Sequence, residues 1–394
     1  MAGLFAVAVL AAISLIKHAK ASPTSNDDGY RHPPNGVCTD YCVEVSATST
    51  GYVWGIPTFK DNYDVVEFLT EIARKDSAEV FHPLSGVKNV TDTYEVAATF
   101  CTPNKTKDGK EKVVLLATHG LGYDRRYWAS SYKPEDYSFV DYALDKGYSV
   151  FFYDRVGTGK SEKLSGYVNQ ATNQIAIIGE LAKSIRAGKY TGNLGKPNSI
   201  VLVGHSFGSY TSQALIASQP EIVEGVVLTG IAYPNATDLA PLSFKWILEA
   251  FASRIANQQS AQWHDRDTGY LNFGDIYAHV NTFFKQPNYE VPAAEYAQSI
   301  AQPFAAIEFL SLQALNLDSN SFKGAAMVTA GQYDLIVCGG ECESTFSGGG
   351  AQAMFKGART LDLYIHPGAG HGVNFGLNAT GFYGQITKFL DANF

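Results

Sequence analysis

Val201-Leu202-Val203-Gly204-His205-Ser206-Phe207-Gly208-Ser209 decides the fold. An apolar run rich in β-branched residues enters Gly-x-Ser-x-Gly and leaves through residues 210–218, a stretch suited to a helix. Such a run fits a strand buried on both faces at the centre of a parallel sheet. Gly204 and Gly208 let strand and helix approach closely, so the pattern predicts a nucleophile elbow with Ser206 at its tip. The serine is expected in a strained backbone conformation, its Oγ exposed and a helix N-terminus behind it. The bare five-residue pattern recurs by chance in a glycine-rich chain; the flanking strand and helix are what distinguish this one.

Outward from the elbow, apolar strands alternate with helical stretches at 113–118, 149–153, 199–203, 225–229, 325–329 and 361–365. That rhythm predicts an α/β fold with a doubly wound, mostly parallel sheet and helices on both faces. Polar residues follow the strands, which places them at the C-terminal edge where ligands bind. The alternation stops after 230, and broad apolar faces at 244–252, 276–284 and 304–315 read as an inserted helical cap. The expected organisation is a signal peptide over 1–21, an N-terminal extension with lead-in strands over 22–112, core over 113–230, cap over 231–322, and core again over 323–394. Within the extension, 42–48 and 93–102 read as strands, and Val65, Phe68, Leu69 and Ile72 share one face of a helix expected to pack on the sheet.

With 45% apolar residues, the 394-residue chain has ample material for a large core, and a formal charge of −8 argues against a nucleic-acid partner. Tyrosine and phenylalanine, 23 of each against 3 methionines, predict aromatic pocket walls. Residues 3–16 form an apolar stretch short for a membrane span, and Ala19-Lys20-Ala21-Ser22 resembles a cleavage site after Ala21. The basic residues Lys17 and Lys20 lie beyond the stretch instead of before it, so a signal anchor is the alternative; no later stretch could span a bilayer. Secretion would make Asn89, Asn104, Asn235 and Asn378, each in an Asn-x-Thr sequon, permissible glycan sites. Five cysteines in an oxidising compartment suggest two bridges and one thiol left over. Cys338 with Cys342 is the expected bridge, and the pairing of Cys38, Cys42 and Cys101 stays open. No further ligands stand near these cysteines at metal-site spacing, so no metal is expected.

Several motifs in order resemble the α/β-hydrolase family, from about Val113 to the end of the chain. His119-Gly120-Leu121-Gly122 is similar to the family's oxyanion loop, which implies the backbone N–H of Leu121 as one oxyanion donor and that of Phe207, directly after the serine, as the other. Asp154-Arg155-Val156-Gly157-Thr158-Gly159-Lys160-Ser161 matches a loop common in the family; it lacks the spacing of a phosphate-binding loop, and Arg155 and Lys160 are expected as structural charges on the rim. A serine nucleophile needs a base, and the base needs an acid to orient it. Asp334 and His371, each in a loop after a strand, match the family's placements for these. Asp238 is the rival acid and His366 the rival base, while His205 reads as a packing residue.

Family members that open epoxides or displace halide carry an aspartate at the elbow, so by this resemblance Ser206 speaks against both and carbonyl chemistry remains. The resemblance therefore implies a secreted serine hydrolase that acts, without a cofactor, on a small-molecule ester or lactone, with an apolar substrate expected from the aromatic cap. Alternatives are a natural-product enzyme of the same fold that performs acyl transfer, thioester cleavage or a non-hydrolytic step, and an aminopeptidase-like amide hydrolase. The last would use an acidic cluster for a free amine, for which Glu249, Glu290 and Glu308 are the candidates. A binding module that has lost its chemistry is disfavoured by the complete set of three residues.

Overall fold

Val113, Leu115 and Ala117 point to one side of β3 (Val113–Thr118), Val114 and Leu116 to the other, and all five are buried. A strand apolar on both sides must be covered twice, and the rest of the chain supplies the two covers. In the computed structural model, which describes residues 29–233 and 253–394, an eight-stranded sheet runs in the order β1-β2-β4-β3-β5-β6-β10-β11. Its remaining strands are β1 (Gly36–Trp54), β2 (Leu84–Pro103), β4 (Ser149–Tyr153), β5 (Ser199–His205), β6 (Gly225–Thr229), β10 (Ala325–Gly331) and β11 (Thr360–His366). Strands β3 to β6, β10 and β11 are parallel, and β2 is antiparallel to both its neighbours.

Helices α2 (Phe139–Asp145) and α8 (Ala379–Asn393) cover one face through Phe139, Phe382, Ile386 and Phe389. Helices α3 (Ala171–Arg186) and α4 (Phe207–Ser218) cover the other through Ile177, Leu181, Leu215 and Ile216. The strands and the double layer match the sequence expectation. The lead-in strands are longer than predicted: β1 and β2 pair from Gly36↔Pro103 to Trp54↔Leu84, and only residues 98–101 of β2 join β4.

Helix α1 (Asn62–Ala73) packs at the end of β1. Its buried Val65 and Phe68 join the core cluster on one side of the large sheet, and the Phe68 ring meets Phe59, Phe81 and Trp54, the last residue of β1. Asn62 Oδ1 accepts the Ile255 amide at 2.7 Å, so this helix braces the segment between β6 and β10. In that segment the helices expected at 276–284 and 304–315 are present, the second shortened, accompanied by strands that the apolar pattern does not suggest. Its described residues contain α5 (Ile276–Phe283), α6 (Val291–Ser299) and α7 (Ala306–Leu312). They also form an antiparallel sheet of β7 (Ser253–Ile255), β8 (Tyr270–Phe273) and β9 (Phe304–Ala305), strands too short to show a period of two. The expected helix at 244–252, Asp238, Asn235 and the proposed signal peptide lie outside the described residues. Among the described residues no helix is long and apolar enough to cross a membrane.

Cys338 and Cys342 are bridged, and Cys38 pairs with Cys101, its opposite number in the β1–β2 register, leaving Cys42 as a free thiol. The two bridges should differ in what they stabilise. The Cys38–Cys101 bridge closes a loop of sequence separation 63 and the other one of 4, so the entropy removed from the unfolded chain is about twice as large for the first. Urea denaturation of Cys38→Ala/Cys101→Ala should show a loss of about 2–4 kcal/mol. The Cys338→Ala/Cys342→Ala protein should lose about half as much global stability and in addition lose activity, through the loop that carries Asp334.

Candidate active site

The turn from β5 into α4 puts Ser206 at φ 52° and ψ −118°, a backbone conformation rare for a residue with a side chain. Its amide donates to the Thr229 carbonyl of β6 at 2.8 Å, and the Ser209 hydroxyl donates to the same carbonyl at 2.8 Å. Glycine is required on both sides. A Cβ on Gly204 would lie 2.6 Å from the Gly208 carbonyl oxygen, and one on Gly208 would lie 2.2 Å from that of Thr118.

The loop after β3 approaches the same turn, since a Cβ on Gly120 would lie 3.0 Å from Ser206 Cβ. Leu121 and Phe207 both line the pocket that Ser206 opens into. Neither of their backbone N–H groups donates to a partner among the described residues. These are the amides that the family resemblance implies as oxyanion donors.

Asp334 begins the short helix Leu335–Cys338 and is fully buried. Its Oδ1 accepts the amides of Ile336 at 2.9 Å and Val337 at 3.1 Å, and its Oδ2 accepts His371 Nδ1–H at 2.7 Å. The carboxylate is thereby held by two backbone donors, and the imidazole is oriented with Nε2 as its free nitrogen. His371 lines the same pocket as Ser206. No hydrogen bond joins the two side chains in this structure, and such contacts are often long until substrate is bound. The loop bearing His371 is clamped by the α5 end of the insert: Gly372 N–H donates to the Phe283 carbonyl at 2.7 Å, and the Phe283 ring lies 5.6 Å from the imidazole.

The pocket is a cavity of about 40 Å³ with almost wholly apolar walls. Phe273, Phe283, Phe304 and Phe309 of the insert face Leu121, Phe207 and Tyr210 of the core, with Leu312, Ile336 and Val337 completing the wall. Of the insert's other aromatic residues, Trp263 and Tyr270 form a separate cluster, and Tyr277 is exposed. Phe244, Trp246 and Phe251 lie outside the described residues. Tyr210, Ile336 and Val337 were not singled out from sequence, although each follows a catalytic candidate by two to four residues and so faces the same space.

The rival groups are committed elsewhere. His366 is buried beside Tyr364 and Phe382. His205 stacks on Tyr127 at 4.4 Å, and burial, reinforced by His371 and His119, lowers its pKa well below the usual histidine value. His279, which bridges Tyr123 and Gln298, is pushed down to about 4 by burial. Glu290 pairs with Lys133 at the surface and Glu308 with Arg155 in the interior, so these two do not converge on an amine; Glu249 lies outside the described residues. Arg155 is a correction to the expectation of a rim charge, being fully buried, while Lys160 does lie at the surface. Among the described residues no three His, Cys, Asp or Glu side chains group as metal ligands.

The fold has many known counterparts. A thermophilic esterase from Thermogutta terrifontis is similar at 19% identity, with 76% of this chain and 94% of that one covered and a TM-score of 0.50. An esterase from Exiguobacterium antarcticum aligns at 14% identity over 76% and 96% of the two chains, with a TM-score of 0.53. A bromoperoxidase from Bacillus anthracis aligns at 18% over 76% and 96%, with a TM-score of 0.51. At such identities the likeness is one of fold alone. No curated protein matches the chain in sequence. The profile of the alpha/beta hydrolase family, by contrast, matches residues 113–378, which takes in the elbow, the Asp334 loop and the His371 loop. The chain belongs to the alpha/beta hydrolase family.

Proposed function

We propose that the protein is a secreted serine hydrolase that cleaves a carboxylic ester or lactone of an apolar small molecule. The observation that carries this reading is the buried 2.7 Å contact of His371 with Asp334 on an apolar pocket shared with a strained Ser206. In the proposed reaction Ser206 Oγ attacks the substrate carbonyl carbon while its proton passes to His371 Nε2. The oxyanion so formed takes hydrogen bonds from the Leu121 and Phe207 amides. Collapse breaks the bond to the alcohol, which takes the proton from His371 and departs, while the acyl group stays bonded to Ser206 Oγ. Water then adds by the same steps, releasing the acid and restoring the serine. Asp334 keeps the imidazole in its tautomer and stabilises it when charged.

The boundaries 113–230, 231–322 and 323–394 are proposed as core, cap and core, with the cap walling the acyl or alcohol portion from water. Two disulfides support an oxidising compartment, and Asn89, Asn104 and Asn378 are exposed, as glycan acceptors would need to be.

The three residues should act as one unit. Ser206→Ala and His371→Ala should each lower kcat/KM by about 10⁴–10⁶, and the double variant no further. Asp334→Asn should cost about 10⁴ through the wrong tautomer. Retained activity in Asp334→Asn, with loss in Asp238→Asn, would transfer the acid's role.

Chain length offers a second test. Each methylene buried is worth about 0.8 kcal/mol, so p-nitrophenyl esters should gain several-fold per carbon from acetyl to medium chains and then fall. A best rate with acetyl esters, emulsified triglyceride or aminoacyl amides would reject an apolar small-molecule ester, and the last would favour the amidase alternative.

Acid should destabilise the fold. His119, His205 and His279 are all held neutral by burial, so the unfolded chain binds protons first. Stability is then full above about 6.5 and declines as the pH falls towards about 4, the window set by His279. Thermal melts across that range should drop steadily with acid, and a flat profile would contradict this.

A further inference from the structure

Arg155 is fully buried, in a position where no rim charge belongs. Its Nη1 pairs with Glu308 of α7, itself 1% exposed, and burying such a pair brings little net stability. The remainder of the guanidinium is turned towards the elbow. Its Nη2 donates to the Gly120 carbonyl at 3.3 Å, and its Cζ stands 4.4 Å from the centre of the Phe207 ring. The Arg155 amide also donates to His119 Nε2 at 3.0 Å, which leaves His119 Nδ1–H to donate to the same Gly120 carbonyl at 2.9 Å.

The Gly120 carbonyl and the Leu121 N–H are the two ends of one planar peptide group. Fixing the carbonyl therefore fixes the direction of the N–H, and a cationic donor at the oxygen polarises the group so that its N–H becomes a stronger donor. We propose that Arg155 is a positioning residue for the oxyanion hole, holding and polarising the Gly120–Leu121 peptide, with Glu308 linking that function to the segment that walls the pocket. The inference rests on the serine-hydrolase reading of the same site. Glu308 is held by two further contacts, its Oε2 accepting the Ala305 amide at 3.1 Å and its Oε1 accepting Gln174 Nε2 at 3.3 Å, and its helix α7 carries the pocket residues Phe309 and Leu312. Placement of the apolar wall and aim of the oxyanion donor thus share one ion pair.

A purely structural pair would predict something different, and kinetics separates the two. Replacing both partners with apolar groups, as Arg155→Met/Glu308→Met, leaves no buried charge unpaired and should preserve folding by circular dichroism. Removing an oxyanion donor outright costs about 10²–10³ in kcat, so losing its support should cost about 10–100-fold. With p-nitrophenyl butyrate that loss should fall on kcat with KM little changed. The inhibition constant of a butyl trifluoromethyl ketone, which forms a tetrahedral adduct, should rise by the same factor. Should the double variant fail to fold, Arg155→Lys keeps the charge but cannot span Gly120 and Glu308 together, and the same split should appear at about 3–10-fold. A folded variant whose ketone affinity is unchanged, or falls only in step with KM, overturns the role of Arg155 alone. Failure of the parent protein to turn over any ester would overturn the hydrolase reading and this role with it.

Discussion

A serine at φ 52° and ψ −118° costs on the order of 1–3 kcal/mol in backbone strain, and the structure around the elbow is what over-determines it. Strand β5 delivers Ser206 from the sheet, the Thr229 carbonyl of the neighbouring strand fixes its amide, and α4 begins at once behind it. The close approach of Gly208 to Thr118 then draws the end of β3 against the turn. Because the loop after β3 starts at that point, Leu121 and Ser206 share a pocket as a result of sheet register. Were β3 and β5 out of register by a residue, the amide and the hydroxyl would no longer face the same space.

The acid and base arrive by the same logic from the other side of the sheet. β10 and β11 are parallel neighbours with Gly331 opposite His366, so the loops that follow them leave the sheet at the same level. Asp334 is then three residues past one strand end and His371 five past the other. Burial of the carboxylate is tolerated because the Ile336 and Val337 amides and the imidazole satisfy it. The insert closes the site by packing Phe283 over the His371 loop and by tying Glu308 to Arg155, so it contacts the candidate machinery at both ends of the pocket.

Much of this was legible in the residues. The two-sided apolar strands and the glycines around Ser206 follow from patterns that sheet burial enforces. Asp334 and His371 were singled out because they stand in loops after strands, where the family resemblance implies an acid and a base. What escaped was of two kinds. The strands β7, β8 and β9 span two to four residues, too few for a periodic signal, and their pairing depends on contacts distant in sequence. Arg155 was misplaced on the rim because a charged residue in a glycine loop is ordinarily exposed. Only its partner Glu308, 153 positions away, makes burial possible, and no local pattern announces that pair. The same holds for Cys38 and Cys101, whose pairing follows from a strand register that the spacing of cysteines does not encode.

The central claim is that Ser206 is a nucleophile activated by His371. A fluorophosphonate probe reads this without knowledge of the natural substrate, since it forms a stable adduct only with an activated serine. The account predicts a single adduct, mapped by peptide mass spectrometry to Ser206, that forms on the intact protein and is lost in folded His371→Ala. Absence of labelling on the intact protein, an adduct on another serine, or undiminished labelling of Ser206 in His371→Ala would contradict it.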